Sequence, residues 1–443
     1  MAGSFGKKVV KFLSFLVLAG AVCALSYYLG IKGILISLII IFAAVLIGYG
    51  ADMLEMVLPG GVAIAIVALL QISPEFFVEW ATVKRAALEP LFMTKIDILY
   101  YPFMLYRVVP FEPSFTHNAM ANLYGANKLL VGFGPPLVFF VYYFFSHTRK
   151  ENYIEFHKIK SYSIFVMLFA ILYNFIMYLK NSLMWYDSIF LIIIYIISVV
   201  YIGKMEIKYE KTHSSETADK ENEENESFFM RFLKRISKNK AGIVIAFNVY
   251  AIAFAFLVFG GGLLVHYSET FLEVLLEASV LAGIPTFFFI GYVAPFMSEF
   301  PEKLVAIGFA MKGEEDTAMI NFLSSILSQL TLLTAMVPLV YSFYRGELTG
   351  IVFDHVQSQE LLLVVAMVLF SLMMFFDLKF TIRETIMALG LFLWQFMFPD
   401  SRELVTKIYF VLFLSYVLEF FLENRHKEMW QVVSAKVEEP KDK

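Results

Sequence analysis

Gln71-Ile72-Ser73-Pro74-Glu75 and Ser298-Glu299-Phe300-Pro301-Glu302 each set a proline and a carboxylate inside a long apolar run, one in either half of the chain. Each is followed by a second matching stretch, Ala119-Met120-Ala121-Asn122 after the first and Ala318-Met319-Ile320-Asn321 after the second. Two such pairs, in the same order and in corresponding apolar runs, read as a duplication. The chemistry is as specific as the order. A proline within a helix has no N–H to donate and displaces the carbonyl four residues back, here those of Leu70 and Met297. Bare carbonyls are tolerated at membrane depth only where they are buried in protein or line a polar cavity. A carboxylate beside them costs several kcal/mol in hydrocarbon unless a cation or proton neutralises it. Freed carbonyls and carboxylates together make an oxygen-rich site suited to hard cations such as calcium and sodium. One glutamate alone would read equally well as a residue snorkelling from a helix end; the symmetric pair favours a site.

The surrounding composition is that of a membrane protein. Of 443 residues 59% are hydrophobic and 17% charged, with a mean hydropathy of +0.71. The apolar residues fall in blocks of roughly 18 to 30, long enough to cross a hydrocarbon core. They are apolar all round, unlike the amphipathic helices that clothe a soluble core. The net charge of −4 is confined to loops and tails, and no basic surface for nucleic acid is present. Cys23 is the only cysteine, which excludes an internal disulfide, a thiolate metal cluster and a Cys-x-x-Cys redox site.

Twelve spans are expected, near 9–29, 31–52, 60–83, 117–146, 161–180, 186–203, 241–266, 275–311, 316–344, 359–377, 380–398 and 403–422. The chain is therefore read as an all-α polytopic protein of about 12 transmembrane helices. Residues 1–30 form an extra N-terminal helix or signal anchor; Ala19-Gly20-Ala21 also fits a signal-peptide cleavage site. Residues 31–203 form a five-helix unit with an interfacial insertion near 84–116, rich in Tyr100, Tyr101, Phe103 and Tyr106. Residues 204–240 are a polar linker, residues 241–398 a second five-helix unit, and residues 399–443 an extra helix and tail. Five crossings in each unit mean that the second enters from the opposite side, an inverted repeat of the kind secondary transporters use. Lys and Arg at 149–160, in the linker and after Arg425 place the N-terminus, the 204–240 linker and the C-terminus in the cytoplasm of a multi-pass cell-membrane protein. The loops at 267–274, 345–358 and 399–402 fall outside.

These motifs resemble the sodium/calcium exchanger superfamily, whose two inverted repeats each carry Gly-Thr-Ser-x-Pro-Glu followed by a helix with Gly-Ser-Asn. The Pro-Glu stretches are similar to the former; Gly125-Ala126-Asn127 and Ser324-Ser325-Ile326 are similar to the latter. Gly48-Tyr49-Gly50-Ala51-Asp52-Met53-Leu54 and Gly260-Gly261-Gly262-Leu263-Leu264 resemble the helix before each. The resemblance implies an antiporter, not an enzyme, moving calcium or a similar cation against sodium or protons, with the bilayer and inorganic cations as its partners and no cofactor. It implies Glu75 and Glu302 as facing central cation (metal) ligands, and Asn127, Ser298, Ser325 and Gln329 as supporting oxygens. Pro74 and Pro301 would break the helices, while Gln71, Ser73, Lys128 and Glu299 would tune the site. Two alternatives stay open: a proton-coupled exporter of another ion on this scaffold, and a non-transporting membrane scaffold or sensor.

The departures are as informative as the matches. Gln71-Ile72 replace the family's Thr-Ser, Ala126 and Leu130 stand where a hydroxyl and an amide or carboxylate are expected, and Glu75 lies about 28 residues further from Asn122 than Glu302 does from Asn321. Glu79 and Glu299 can share a helical face with the central glutamates or reach a mouth of the cavity. Lys128 lies inside an apolar helix. Either its ammonium approaches Glu75 or Glu302 and takes the place of a sodium ion, or it points to headgroups or a loop. His117-Asn118 read as a helix N-terminus. Tyr186-Asp187 has no Gly-x-Gly-Asp partner, and metalloprotease, hydrolase and Walker signatures are missing.

Overall fold

The computed structural model describes residues 30–51, 53–54, 72–100, 115–145, 153–155, 161–213, 242–375 and 379–422. The first expected span, Gln71 and the middle of the 204–240 linker lie outside them. In the first half, α1 spans Gly30–Ala51, α2 Ser73–Tyr100, α3 Phe115–Gly132, α4 Gly134–Phe145, α5 Ser161–Lys180 and α6 Trp185–His213. In the second half, α7 spans Gly242–Ala282, α8 Thr286–Ser298, α9 Phe300–Lys312, α10 Glu315–Ser328, α11 Thr334–Arg345, α12 His355–Phe375 and α13 Ile382–Met397. Helix α14, Arg402–Leu422, follows.

Among the described residues six helices are long and apolar enough to cross a membrane, and two shorter apolar ones, Val166–Lys180 and Phe289–Ser298, accompany them. The order of layers follows from burial. Of the most apolar windows, 83% is buried within the protein for Glu315–Arg345 and 67% for Thr116–Phe145, against 22% for Val249–Ala282. The Asn-bearing helices α3–α4 and α10–α11, together with α12 at 72%, are therefore the centre, with α7 at the periphery. Outward faces carry large apolar side chains, such as Leu35, Leu38 and Phe42 on α1 and Leu172, Ile176 and Leu179 on α5. Water would penalise faces of this kind; lipid solvates them.

Three expectations change. Residues 267–274, expected as an external loop, are helical: α7 runs unbroken for 41 residues, roughly 60 Å and far longer than a bilayer core is thick. The polarity read as a loop belongs to Glu269 and Glu273, which pair with Lys84 and Arg85 of α2. Those two lysine and arginine residues head the segment expected as an interfacial insertion, and α2 continues into it as far as Tyr100. Finally, the fold is not wholly α. Strands β1 (Tyr153–Glu155), β2 (Ser182–Met184), β3 (Gly350–Val352) and β4 (Lys379–Thr381) each span three residues, too short to alternate visibly in sequence. They form two antiparallel pairs: β1 with β4, matching Tyr153 to Thr381, and β2 with β3, matching Ser182 to Val352. Each pair joins one half of the chain to the other.

Candidate functional site

The site is built where helices begin and end. Helix α8 stops at Ser298, Glu299 turns the chain (φ −88°, ψ 0°), and α9 starts at Phe300 with Pro301 in its opening positions. Helix α2 likewise opens Ser73-Pro74-Glu75. The prolines thus sit where a missing N–H is no loss, not in mid-helix as the sequence suggested. Glu75 and Glu302 occupy the first turns of α2 and α9, beside the positive ends of the helix dipoles.

Around them the halves converge. The Gln329 amide donates to Glu75 Oε2 at 2.7 Å and to Glu299 Oε1 at 2.8 Å, so one nitrogen joins a carboxylate of each half. Those carboxylates are separated by no more than two hydrogen bonds laid end to end. Glu302 lies within electrostatic reach of Glu75 and accepts from Ser325 Oγ at 2.8 Å. Glu75, Glu299, Gln329 and Ser325 are all buried, and Glu302 is partly so. Gln329 owes its position to a π-helical turn, Gln329–Leu333, in the middle of the α10–α11 span; Thr334 Oγ1 donates to its carbonyl across that widened turn at 2.7 Å. Turns of this type interrupt helices most often at functional sites.

Lys303, which the sequence reading passed over, is also here. Its ammonium, 3% exposed, lies 2.5 Å from Glu299 Oε2, with Glu299 wholly buried. Its signal was present, since Glu299 and Lys303 have the i, i+4 spacing that pairs acid and base on one helical face. Among the described residues no three carboxylate, imidazole or thiolate groups stand in metal-holding geometry. The carboxylates close instead on Gln329, Lys303 and Ser325.

The other expected residues divide. Asn127 is buried in α3; its amide donates to Leu123 O at 2.9 Å and its Oδ1 has no partner among the described residues. Ser298 turns its hydroxyl back to the carbonyls of Ala294 and Pro295. Glu79 is buried and bonded to Asn122 at 2.5 Å, so it lies inside the protein rather than at a mouth. Lys128 follows neither expectation. It is buried, 2.6 Å from Glu360 Oε2 and over the Tyr292 ring, while Arg402 holds the other oxygen of Glu360 at 2.6 Å. Its counter-charge comes from α12, 232 residues away. This ion group locks α3, α12 and α14 together.

One crossing sets the frame. Pro295 has no N–H for the Gly291 carbonyl, and Gly125 of α3 packs onto that oxygen: a Cβ on Gly125 would stand 1.5 Å from it. Small residues let membrane helices approach this closely, and here they seat α3 against the helix that ends in Ser298.

Apolar outward faces and a buried carboxylate centre shared by two halves define a multi-pass membrane transporter of cations. The chain belongs to the sodium/calcium exchanger protein family, whose model matches residues 102–204 and 252–398. Glu75 precedes the matched region. Among solved structures, the H+/Ca2+ exchanger CAX is 26% identical, covering 98% of this chain and 100% of its own, with a TM-score of 0.74. The sodium-calcium exchanger NCX_Mj is 15% identical over 84% of this chain and 98% of its own, with a TM-score of 0.47. No curated protein matches.

Proposed function

We propose that this protein is a calcium/proton antiporter of the cell membrane working by alternating access, with Glu75 and Glu302 as the principal ion ligands and Ser325, Gln329 and Asn127 as supporting groups. The observation that carries the reading is the junction at Gln329, where a carboxylate from each half is held at the start of a helix, with Glu302 in reach. Hard oxygen donors suit calcium. Because carboxylates must be unprotonated to ligate a metal, calcium and protons compete for them, which is the coupling an antiporter needs. Protons rather than sodium are favoured by the similarity to the H+/Ca2+ exchanger and by Ala126 and Leu130, which bring no oxygen to α3.

The architecture in this reading is two inverted five-helix repeats, 31–203 and 241–398, flanked by an extra helix at each end. The strand pairs support it. β1 and β3 both follow the Asn-bearing span of their half, and β2 and β4 both follow the next helix. A twofold operation therefore turns the β1–β4 pair into the β3–β2 pair. The termini and the 204–240 linker are cytoplasmic.

The test is calcium movement into or out of proteoliposomes driven by a pH gradient alone. Wild type should accumulate calcium, and Glu75→Gln or Glu302→Gln should each abolish this while the protein remains monodisperse. Wild-type flux in either variant, or flux that needs sodium, would refute the assignment.

A further inference from the structure

The Glu299–Lys303 pair is expensive. Two charges taken out of water carry a heavy desolvation cost unless geometry and further hydrogen bonds compensate it, and Lys303 brings no oxygen to a site made of cation ligands. Its position makes it informative. Glu299 takes the residue before α9 and Lys303 the residue after Glu302, so the pair brackets Pro301-Glu302. Gln329 ties the same Glu299 to Glu75. The ammonium is thereby held within the carboxylate group on a covalent stem, 5.7 Å from the centre of the Phe296 ring.

We infer that Lys303 is a tethered monovalent cation that fixes the charge stoichiometry of exchange. This rests on the calcium antiporter reading above and goes one step past it. Glu75, Glu299 and Glu302 bring three carboxylates to a bound calcium ion, and the Lys303 ammonium, paired with Glu299, offsets one of their charges and leaves two. Two negative charges are neutralised by one calcium ion on the outward journey and by two monovalent cations on the return. Both loaded forms are then uncharged, and both cross the low-dielectric centre without the penalty an uncompensated charge incurs there. A mobile cation in the same place could leave, and a sodium ion could bind; a lysine side chain excludes both.

The charges can be changed one at a time. Lys303→Gln leaves three negative charges, so three monovalent cations return against one calcium ion and each cycle moves one net charge. Glu299→Gln leaves one negative charge, so one monovalent cation returns and the net charge moves in the opposite direction. The double variant Glu299→Gln/Lys303→Gln restores two. The measurement is the steady-state calcium ratio across proteoliposomes at potentials clamped with potassium and valinomycin. One elementary charge across 100 mV corresponds to about 50-fold in that ratio. Wild type and the double variant should show a ratio independent of potential, with Lys303→Gln and Glu299→Gln shifting by about 50-fold per 100 mV in opposite senses. A wild-type ratio that follows potential overturns the inference even if neither single variant folds. So does a folded Lys303→Gln protein that remains electroneutral. Absence of calcium flux in wild type would instead overturn the functional reading.

Discussion

Gly125→Ala should be among the most damaging single-methyl changes in this protein. An alanine Cβ there would stand 1.5 Å from the Gly291 oxygen, 2.4 Å from its carbonyl carbon and 2.8 Å from its Cα. A carbon and a carbonyl oxygen rest about 3.3 to 3.6 Å apart, so α3 and α8 must separate by roughly 2 Å. All three obstacles are backbone, and no rotamer change relieves them. Overpacking of this kind typically costs about 1–3 kcal/mol. The functional loss should be larger than that suggests. Helix α8 ends at Ser298, one residue before Glu299, and a binding group must be held to about 0.5 Å. Gly291→Ala should be milder, since its Cβ would meet Ala121 O at 3.0 Å, a matter of a few tenths of an ångström. Gly261→Ala on α7 meets nothing within 4 Å and serves as the control. The assay pairs pH-driven calcium flux with the melting temperature in detergent. The expected order is loss of at least about 100-fold for Gly125→Ala, a partial loss for Gly291→Ala and wild-type behaviour for Gly261→Ala. Full flux and stability in Gly125→Ala would show that the α3–α8 crossing does not hold the site.

Lys128→Met should destabilise the protein by about 3 kcal/mol, because Glu360 keeps only Arg402 in a buried setting; an unchanged melting temperature would contradict this. Ser325→Ala removes the hydrogen bond that aims Glu302 and should raise the calcium concentration for half-maximal flux by about tenfold, as expected for a bond to a charged group worth ~1.5 kcal/mol. An unaltered half-saturation would exclude Ser325 from the site. For orientation, a cysteine replacing exposed Glu347 in a Cys23→Ser background should react with an impermeant thiol reagent on intact cells, while one at Ser214 should be shielded. The reverse labelling would invert the topology.

What could be read from sequence was local, and what was missed depended on distance. The Pro-Glu pairs led to the centre because helix breaking and the cost of a buried carboxylate are properties of two or three neighbouring residues. A helix end and a helix kink look alike in sequence, and both prolines prove to stand at helix starts. Lys128 shows the limit. Its need for a counter-charge was plain, but Glu360 lies on a different helix and nothing near Lys128 points to it. In α7, local reasoning misled: Glu269 and Glu273 look like loop residues until Lys84 and Arg85 are seen opposite them. The π turn at Gln329 has no composition of its own, which is why Gln329 came from the family resemblance rather than from its setting.

The two crossed strand pairs have a consequence for how the protein is made. Tyr153 must wait for Thr381, roughly 230 residues later, and at about 5–20 residues per second this is a delay of roughly 10 to 45 s. Ser182 waits somewhat less for Val352. Through that interval the first half has been synthesised with two backbone edges unpaired, and such edges cannot rest in hydrocarbon. They must be held at the polar boundary of the bilayer, open to a neighbouring nascent chain as readily as to their own second half. Biogenesis therefore has a vulnerable window that closes only when Lys379–Thr381 emerges, and truncations before that point should be cleared by quality control rather than accumulate as stable half-proteins.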